Sequence, residues 1–276
     1  MSNIKILYVT SEMDPFFSEG IIGKTVRNIA KELRSNDAEV RIVIPKFGLI
    51  NDRRNRLHEV VRLSNISVKI GGDIKPIRVK VASIREERLQ VYFLDSDEYF
   101  KRKFVFHDAN GKFFDDNSER LLYFTRATFE TLKNVNWIPN VIHCHGWISS
   151  LIPLYLKNGN DKTFKDAKCI STLYQQMFPE SFSDEIFNLS PLLQKEKQTL
   201  IPEGIVNYQS LINLASKYSE LTTYTSDSSL DTENMRKSYE ILDSIKGLQK
   251  IDYNETDMIS KYCNIYNDIL QAVEVS

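Results

Sequence analysis

The chain has 276 residues, enough for one large α/β domain with its own core. Its 36 basic and 37 acidic side chains leave a formal charge of -1, which gives no electrostatic case for nucleic acid or an anionic membrane surface as a partner. No apolar run reaches membrane length, and the N-terminus lacks the basic, apolar, small-residue order of a signal peptide, so a cytoplasmic protein is expected.

Residues 4–10, IKILYVT, form a largely apolar run suited to a central parallel strand buried on both faces. A turn region follows through Gly20 and Gly23, and then Val26, Ile29, Ala30 and Leu33 recur at helical spacing. Val40–Pro45 is the next strand, which completes a right-handed βαβ unit. Residues 51–63 are charged and read as a solvated loop or short helix. Residues 66–70 and 77–84 read as strands around the Gly71-Gly72 turn, and Leu89–Leu94 reads as a buried strand. The stretch 95–116 is aromatic, charged and aperiodic, an ordered loop excursion. A strong helix runs from Asn117 to Leu132, with Asp116 or Asn117 as its N-cap.

Asn140–Cys144 is a short buried strand, Ile148–Leu156 the helix after it, and Lys168–Leu173 another strand. Residues 176–202 carry weak patterns, with a turn at 201–204. Tyr208–Tyr218 reads as a helix and Glu220–Thr225 as the last strand. Residues 226–255 form a polar bridge to a long amphipathic helix, Thr256–Val273, with Ile259, Tyr262, Ile265, Ile269 and Val273 along one side. The alternation of strands and helices predicts an α/β fold with a doubly wound, mostly parallel sheet. The three cysteines, Cys144, Cys169 and Cys263, are odd in number and widely spaced, and read as reduced thiols.

Ligands of such sheets sit outside the carboxyl ends of the strands, so the loops after Thr10, Leu94, Cys144 and Leu173 are the places for chemistry. Gly20 and Gly23 flank the start of the first helix. They either let a phosphate or sugar hydroxyl approach free N–H groups, or serve a tight turn that needs positive φ. Glu19 opposes an anion there, and Lys24 offsets it. His143, Cys144 and His145 close a strand, but alternation puts Cys144 on the face opposite the two histidines, and no further ligand cluster completes a zinc site. A structural histidine held by backbone bonds and a substrate-contacting His145 both fit. Asp115 and Asp116 at a helix start suit acid/base work or cation binding, but capping and dipole complementation more often explain such pairs.

Several of these segments, in order, resemble the N-terminal catalytic domain of bacterial glycogen synthases and plant starch synthases. IKILYVTSEMDP (4–15) resembles the family's first strand and S-E-x-x-P turn, and Gly20–Gly23 falls where the family has its K-T-G-G-L-G-D loop. VRIVIPKFG (40–48) and VYFLDSDEYF (91–100) match further segments, and Asp116-Asn117-x-x-Arg120 matches a D-N-x-x-R helix start. VIHCHGWISSLIPLYLK (141–157) resembles the I-H-x-H-D-W motif and its helix, with Trp147 as the tryptophan. The resemblance is good over residues 1–157 and faint from 168 to about 226.

The resemblance implies the Rossmann-like N-terminal domain of a two-domain GT-B glucosyltransferase, here spanning 1–225, with 226–276 as a bridge and a C-terminal helix packing back on the same domain. It implies glucose transfer from ADP-glucose to an α-1,4-glucan, with retention and with no metal or cofactor. It also implies His145 at the glucosyl site, with Ser18, Gly20, Gly23, Asp116, Asn117 and Trp147 as substrate-side positions. The departures are specific. Ser18 stands where the family has its phosphate-facing lysine, Glu19 replaces the threonine, Ile21 the second glycine and Lys24 the aspartate. Gly146 replaces the aspartate of H-D-W, and Ile148 the histidine that follows. With the second domain not seen, transfer is expected to be weak or to need a protein that supplies it. The alternative is a non-catalytic glucan-binding or regulatory remnant.

Overall fold

The computed structural model describes residues 4–174, 178, 180–197, 205–227, 245, 247–254 and 256–274. The first βαβ unit consists of β1 (Lys5–Thr10), α1 (Ile21–Ser35) and β2 (Glu39–Pro45). Next come β3 (His58–Glu59), the hairpin of β4 (Ile66–Ile70) and β5 (Asp73–Ile84), and β6 (Leu89–Asp95). After an irregular excursion the chain forms α2 (Asn117–Val135), β7 (Val141–His145), α3 (Ile152–Asn158) and β8 (Lys168–Tyr174). The short helices α4 (Glu185–Leu189) and α5 (Pro191–Glu196) lead toward α6 (Tyr208–Tyr218) and β9 (Leu221–Ser226). β10 (Gln249–Asp252) and α7 (Met258–Glu274) complete the described elements.

All the described strands join one sheet, in the order β10-β9-β8-β7-β1-β2-β6-β5-β3, with β4 paired to β5. From β10 to β6 every pairing is parallel, whereas β5 runs antiparallel to β6, β3 and β4. The result is an α/β, mostly parallel sheet with an antiparallel extension at one edge. The chain leaves β1 toward β2 and β6 on one side and returns to β7 on the other, so the switch point lies between β1 and β7.

The sheet is covered on both faces. On one, Leu7 and Val43 meet Thr131, Leu132 and Val135 of α2. On the other, α1 packs against α7. The second face is unusual because its centre is polar. Tyr8, His143, Thr172 and Thr223, from four adjacent strands, are all fully or nearly fully buried there. Helix α7 completes their hydrogen bonding. The Tyr266 hydroxyl shares a bond with the Tyr8 hydroxyl at 2.7 Å and with His143 Nδ1 at 2.5 Å. The Tyr262 hydroxyl lies 2.6 Å from Thr225 Oγ1, 3.2 Å from Thr172 Oγ1 and 3.3 Å from Thr223 Oγ1. His143 Nε2 meets Thr172 Oγ1 at 2.6 Å. His143 is therefore held by side-chain hydroxyls, not by backbone bonds.

Three elements differ from the sequence expectation. The helix expected over 148–156 divides into a 3-10 turn, Trp147–Ser149, and α3, because Pro153 lacks the N–H an unbroken helix would need and instead sits in the first turn of a new one. Glu220–Thr225 is not the last strand. β10 follows it on the sheet's edge, where of Gln249, Lys250, Ile251 and Asp252 only Ile251 is buried, so no apolar pattern announced it. The expected N-cap at Asp116 makes no side-chain capping bond. The expected turn at 201–204 and most of the bridge after 227 lie outside the described residues, as does the Val273 side chain. Among the described residues no helix is long and apolar enough to cross a membrane.

Tyr266→Phe removes one hydroxyl and leaves two buried groups, on Tyr8 and His143, short of a partner. Unfolding in urea should show a loss of about 1–3 kcal/mol. An unchanged midpoint would mean that α7 docks by apolar packing alone.

Candidate functional site

The switch point places two loops side by side. Thr10 ends β1, His145 ends β7, and the two are register partners. The loop after Thr10 turns back to start α1. Within it, Glu12 is only 3% exposed, and its Oε2 accepts the N–H groups of Glu19 at 2.9 Å and Gly20 at 3.2 Å. Burial pushes the Glu12 carboxyl up, and those backbone bonds hold it partly back, with Gly23 a smaller contributor. An internal carboxylate thus already occupies the positive end of α1, where sequence alone offers free N–H groups to a phosphate. Glu12 is the glutamate of the S-E-x-x-P turn, a motif that marks its position but not its burial.

Neither glycine serves handedness, and only Gly23 serves space. Gly20 has φ -149° and Gly23 lies within α1, so neither needs positive φ. A Cβ on Gly23 would stand 2.7 Å from Ser18 Oγ and 2.9 Å from Ser18 Cβ, and the Asp14 N–H donates to the Gly23 carbonyl at 3.3 Å. The loop therefore closes directly onto the helix at Gly23. At Gly20 a Cβ would meet nothing within 4 Å. Ser18, Glu19 and Gly20 form the exposed lip, with Ser18 Oγ donating to the Gly20 carbonyl at 3.1 Å. Burial raises the Glu19 carboxyl, and the nearby His107 opposes it.

His145 is fully buried behind this lip. Its Nδ1 lies 2.7 Å from the Tyr174 hydroxyl, while Nε2 is buried without a protein partner. Burial pulls its pKa down to about 3, so the imidazole is neutral at pH 7. His143, stacked 3.9 Å away, is likewise held well below its ordinary value by burial and then by His145. Burial also keeps the Tyr174 phenol protonated, with Tyr262 and Glu12 among the smaller charges acting on it. Glu12 thus lies between the α1 lip and the Tyr174–His145 pair. Cys144 points to the opposite face, its Sγ 3.9 Å from that of Cys169. Among the described residues no group of three side chains gathers to hold a metal.

The remaining expected positions build walls. Trp147 is 5% exposed and packs among Phe106, Phe113, Phe178 and Phe182. Asn117 is buried and donates to the Phe106 carbonyl at 2.8 Å. Arg120 is 1% exposed, donates to the Tyr99 carbonyl at 2.7 Å and to Asn117 Oδ1, and has its pKa lowered to about 9, chiefly by burial. Asp116 is clamped by Arg102, whose Nη1 reaches Oδ1 at 2.8 Å. The D-N-x-x-R helix start therefore pins the 95–116 excursion through its carbonyls. Asp95, which ends β6, is bound by Lys80 at 2.8 Å and is not free for chemistry.

The family model for the starch synthase catalytic domain matches residues 5–240. The chain belongs to that family. Among curated relatives, the glycogen synthase of Chlorobium limicola is 34% identical over 201 residues, covering 67% of this chain and 41% of its own length. The glycogen synthase of Pelodictyon phaeoclathratiforme is 30% identical over 269 residues, covering 90% and 54% respectively. The chain thus spans about half the length of the curated relatives it matches. The catalytic domain of starch synthase IV from Arabidopsis thaliana, solved with ADP and acarbose bound, superposes with a TM-score of 0.72 at 21% identity, over 91% of this chain and 51% of that one. That likeness carries the GT-B fold. Within this starch synthase-type frame, Gly146 has φ 75° and ψ 173°, a backbone that an L side chain adopts only under strain. Glycine in place of the H-D-W aspartate is therefore matched by the local chain path.

Gly23→Ala should destabilise the protein by about 1–3 kcal/mol through the clash with Ser18, seen as a lower thermal midpoint. Adding Ser18→Gly should recover most of the loss, and no recovery would place the strain elsewhere. The buried imidazoles set a pH dependence. Their folded pKa values are depressed, so the unfolded chain binds more protons. Stability is full above the ordinary histidine value of 6.5 and declines as pH falls toward about 3. In denaturation curves between pH 6.5 and 4.5, His145→Gln should lose stability less steeply than the parent. Equal slopes would show that His145 is not buried neutral.

Proposed function

We propose that this chain supplies the N-terminal half of a two-lobed glucosyltransferase that moves glucose from ADP-glucose to the non-reducing end of an α-1,4-glucan. Family membership supports the reaction class. The observation that carries the site assignment is the unpartnered Nε2 of His145, at a strand's carboxyl end on the switch point. With Nδ1 tied to Tyr174, a neutral imidazole has one further hydrogen bond to give or accept in either tautomer. A sugar hydroxyl has matching chemistry, and a ring that stays uncharged orients it without adding charge to the site. Because the ring is fully enclosed, sugar binding includes an opening step, with Ser18 and Gly20 at the entry.

The donor side is the weaker half. Glu19, where the family has a threonine, sets a further carboxylate beside the start of α1, and it costs a diphosphate on the order of 1 kcal/mol or more a few ångströms away. Transfer at a useful rate therefore depends on cations from a second lobe, carried by a longer form of this chain or by a partner. The changes at Ser18, Glu19 and Lys24 favour a second reading, glucan binding without transfer, since acceptor recognition needs no phosphate site.

Parallel calorimetric titrations with maltooligosaccharide and ADP-glucose, with radiolabelled glucose incorporation into glycogen, separate the two. Maltooligosaccharide should bind more tightly than ADP-glucose. Incorporation should exceed a His145→Ala control by roughly tenfold, the worth of one buried hydrogen bond. Binding without incorporation in the presence of a relative's second lobe would select the second reading, and absence of all sugar binding would end both.

A further inference from the structure

A second cavity lies on the face of the sheet away from α7 and at the opposite end of the strands from His145. It has a volume of about 380 Å³ between α2, α3 and α5. Phe129, Tyr155 and Phe164 provide its aromatic wall, with the Phe129 and Phe164 ring centroids 5.5 Å apart. Its charged lining is Lys69, Arg126, Lys133 and Lys195 against Glu130 and Asp161. Both carboxylates are committed to one cation, Lys133, at 2.7 Å and 3.0 Å. Arg126 spends its bonds on neutral oxygens, the Lys69 carbonyl and the Tyr155 hydroxyl, the latter at 3.4 Å. Lys69 and Lys195 are exposed and make no ion pair among the described residues.

The lining thus carries a surplus of two positive charges, concentrated on Lys69, Arg126 and Lys195. Another charged hollow, at the ends of β2 and β6, behaves differently: Lys46, Arg78, Lys80 and Lys101 are matched there by Asp52, Glu59, Asp95 and Asp97. The cavity's uncompensated charge sits beside Phe129 and Tyr155, which are partly exposed; Phe164, 2% exposed, packs against Phe129, and the Arg126 guanidinium lies 5.6 Å from the Tyr155 ring centroid.

We propose that this cavity binds a small phosphorylated metabolite, a sugar phosphate or a nucleoside monophosphate. A phosphomonoester carries about -1.5 to -2 at neutral pH, which matches the surplus, and its oxygens suit a guanidinium and two ammonium groups. The sugar ring or base lies on the aromatic wall. The volume falls within the range of small-ligand sites, roughly 300–1,000 Å³.

Calorimetry on the full chain at low ionic strength, with glucose 1-phosphate and AMP, tests this. Glucose, adenosine and inorganic phosphate are the controls. One phosphorylated ligand should bind at least about tenfold more tightly than its unphosphorylated counterpart and than inorganic phosphate. The preferred ligand identifies the ring. Lys69→Ala combined with Lys195→Ala, both at exposed positions, should weaken that binding by roughly tenfold or more, whereas Lys31→Ala on α1 should not. The double variant also distinguishes this cavity from the cleft at β1 and β7, which it leaves intact. No binding of either phosphorylated ligand, equal binding of the unphosphorylated ones, or unchanged binding in the double variant would overturn the proposal.

Discussion

The structure depends on a buried polar layer in the middle of its sheet. Parallel sheets covered on both faces are ordinarily lined with Val, Ile and Leu. Here one face carries Tyr8, His143, Thr172, Thr223 and Thr225, all sealed from water. Each hydroxyl or ring nitrogen would cost on the order of 1–3 kcal/mol if left unpaired. The strands cannot satisfy the layer among themselves. Two phenols of α7 do so, Tyr262 for the threonines and Tyr266 for Tyr8 and His143. The last described helix is therefore the closing member of a hydrogen-bond network that begins on the first strand, and it ties the two ends of the chain into one cooperative core.

The same layer sets the chemistry of the candidate site. His145 belongs to it through Tyr174 and through its stacking on His143, and burial in that layer is what keeps it neutral. A more open setting would give an imidazole that titrates near pH 6.5 and competes for water. At the opposite wall of the switch point, Glu12 does for the start of α1 what α7 does for the sheet: it pairs backbone N–H groups that would otherwise seek a ligand. Both devices stabilise the unliganded protein.

Most of the framework was legible in the sequence because it is encoded by periodicity. The apolar runs of β1, β2, β6 and β8 and the 3.6-residue pattern of α1 and α6 leave little choice of element. What escaped was encoded by partners instead. β10 is a polar edge strand defined by its neighbour β9. Tyr266 lies beside the recognised stripe of α7, and its role appears only when Tyr8 and His143 are set opposite. Glu12 looks like a turn residue until its burial is seen. Asp116, expected to cap α2, is drawn aside by Arg102, a residue in an aperiodic segment. Of the expected site positions, Ser18, Gly20 and Gly23 form one loop beside the strand end that carries His145. Asp116, Asn117 and Trp147 lie behind it, as walls.

That division bears on what family membership means here. The segments by which the family is recognised are mainly those whose side chains are buried: Asn117 and Arg120 holding an excursion by its carbonyls, Trp147 in an aromatic cluster, His143 within the polar layer. Substitution at such positions leaves buried polar groups unpaired or opens a cavity, a cost to stability that is the same whether or not the protein turns over substrate. The departures include Ser18 and Glu19, on an exposed lip where a change of charge costs the fold little, Gly146, where the backbone itself accommodates glycine, and the buried Ile148 in place of a histidine. The fold can therefore stay fully recognisable while the donor-facing surface changes. Kinship and activity therefore have to be established by different measurements.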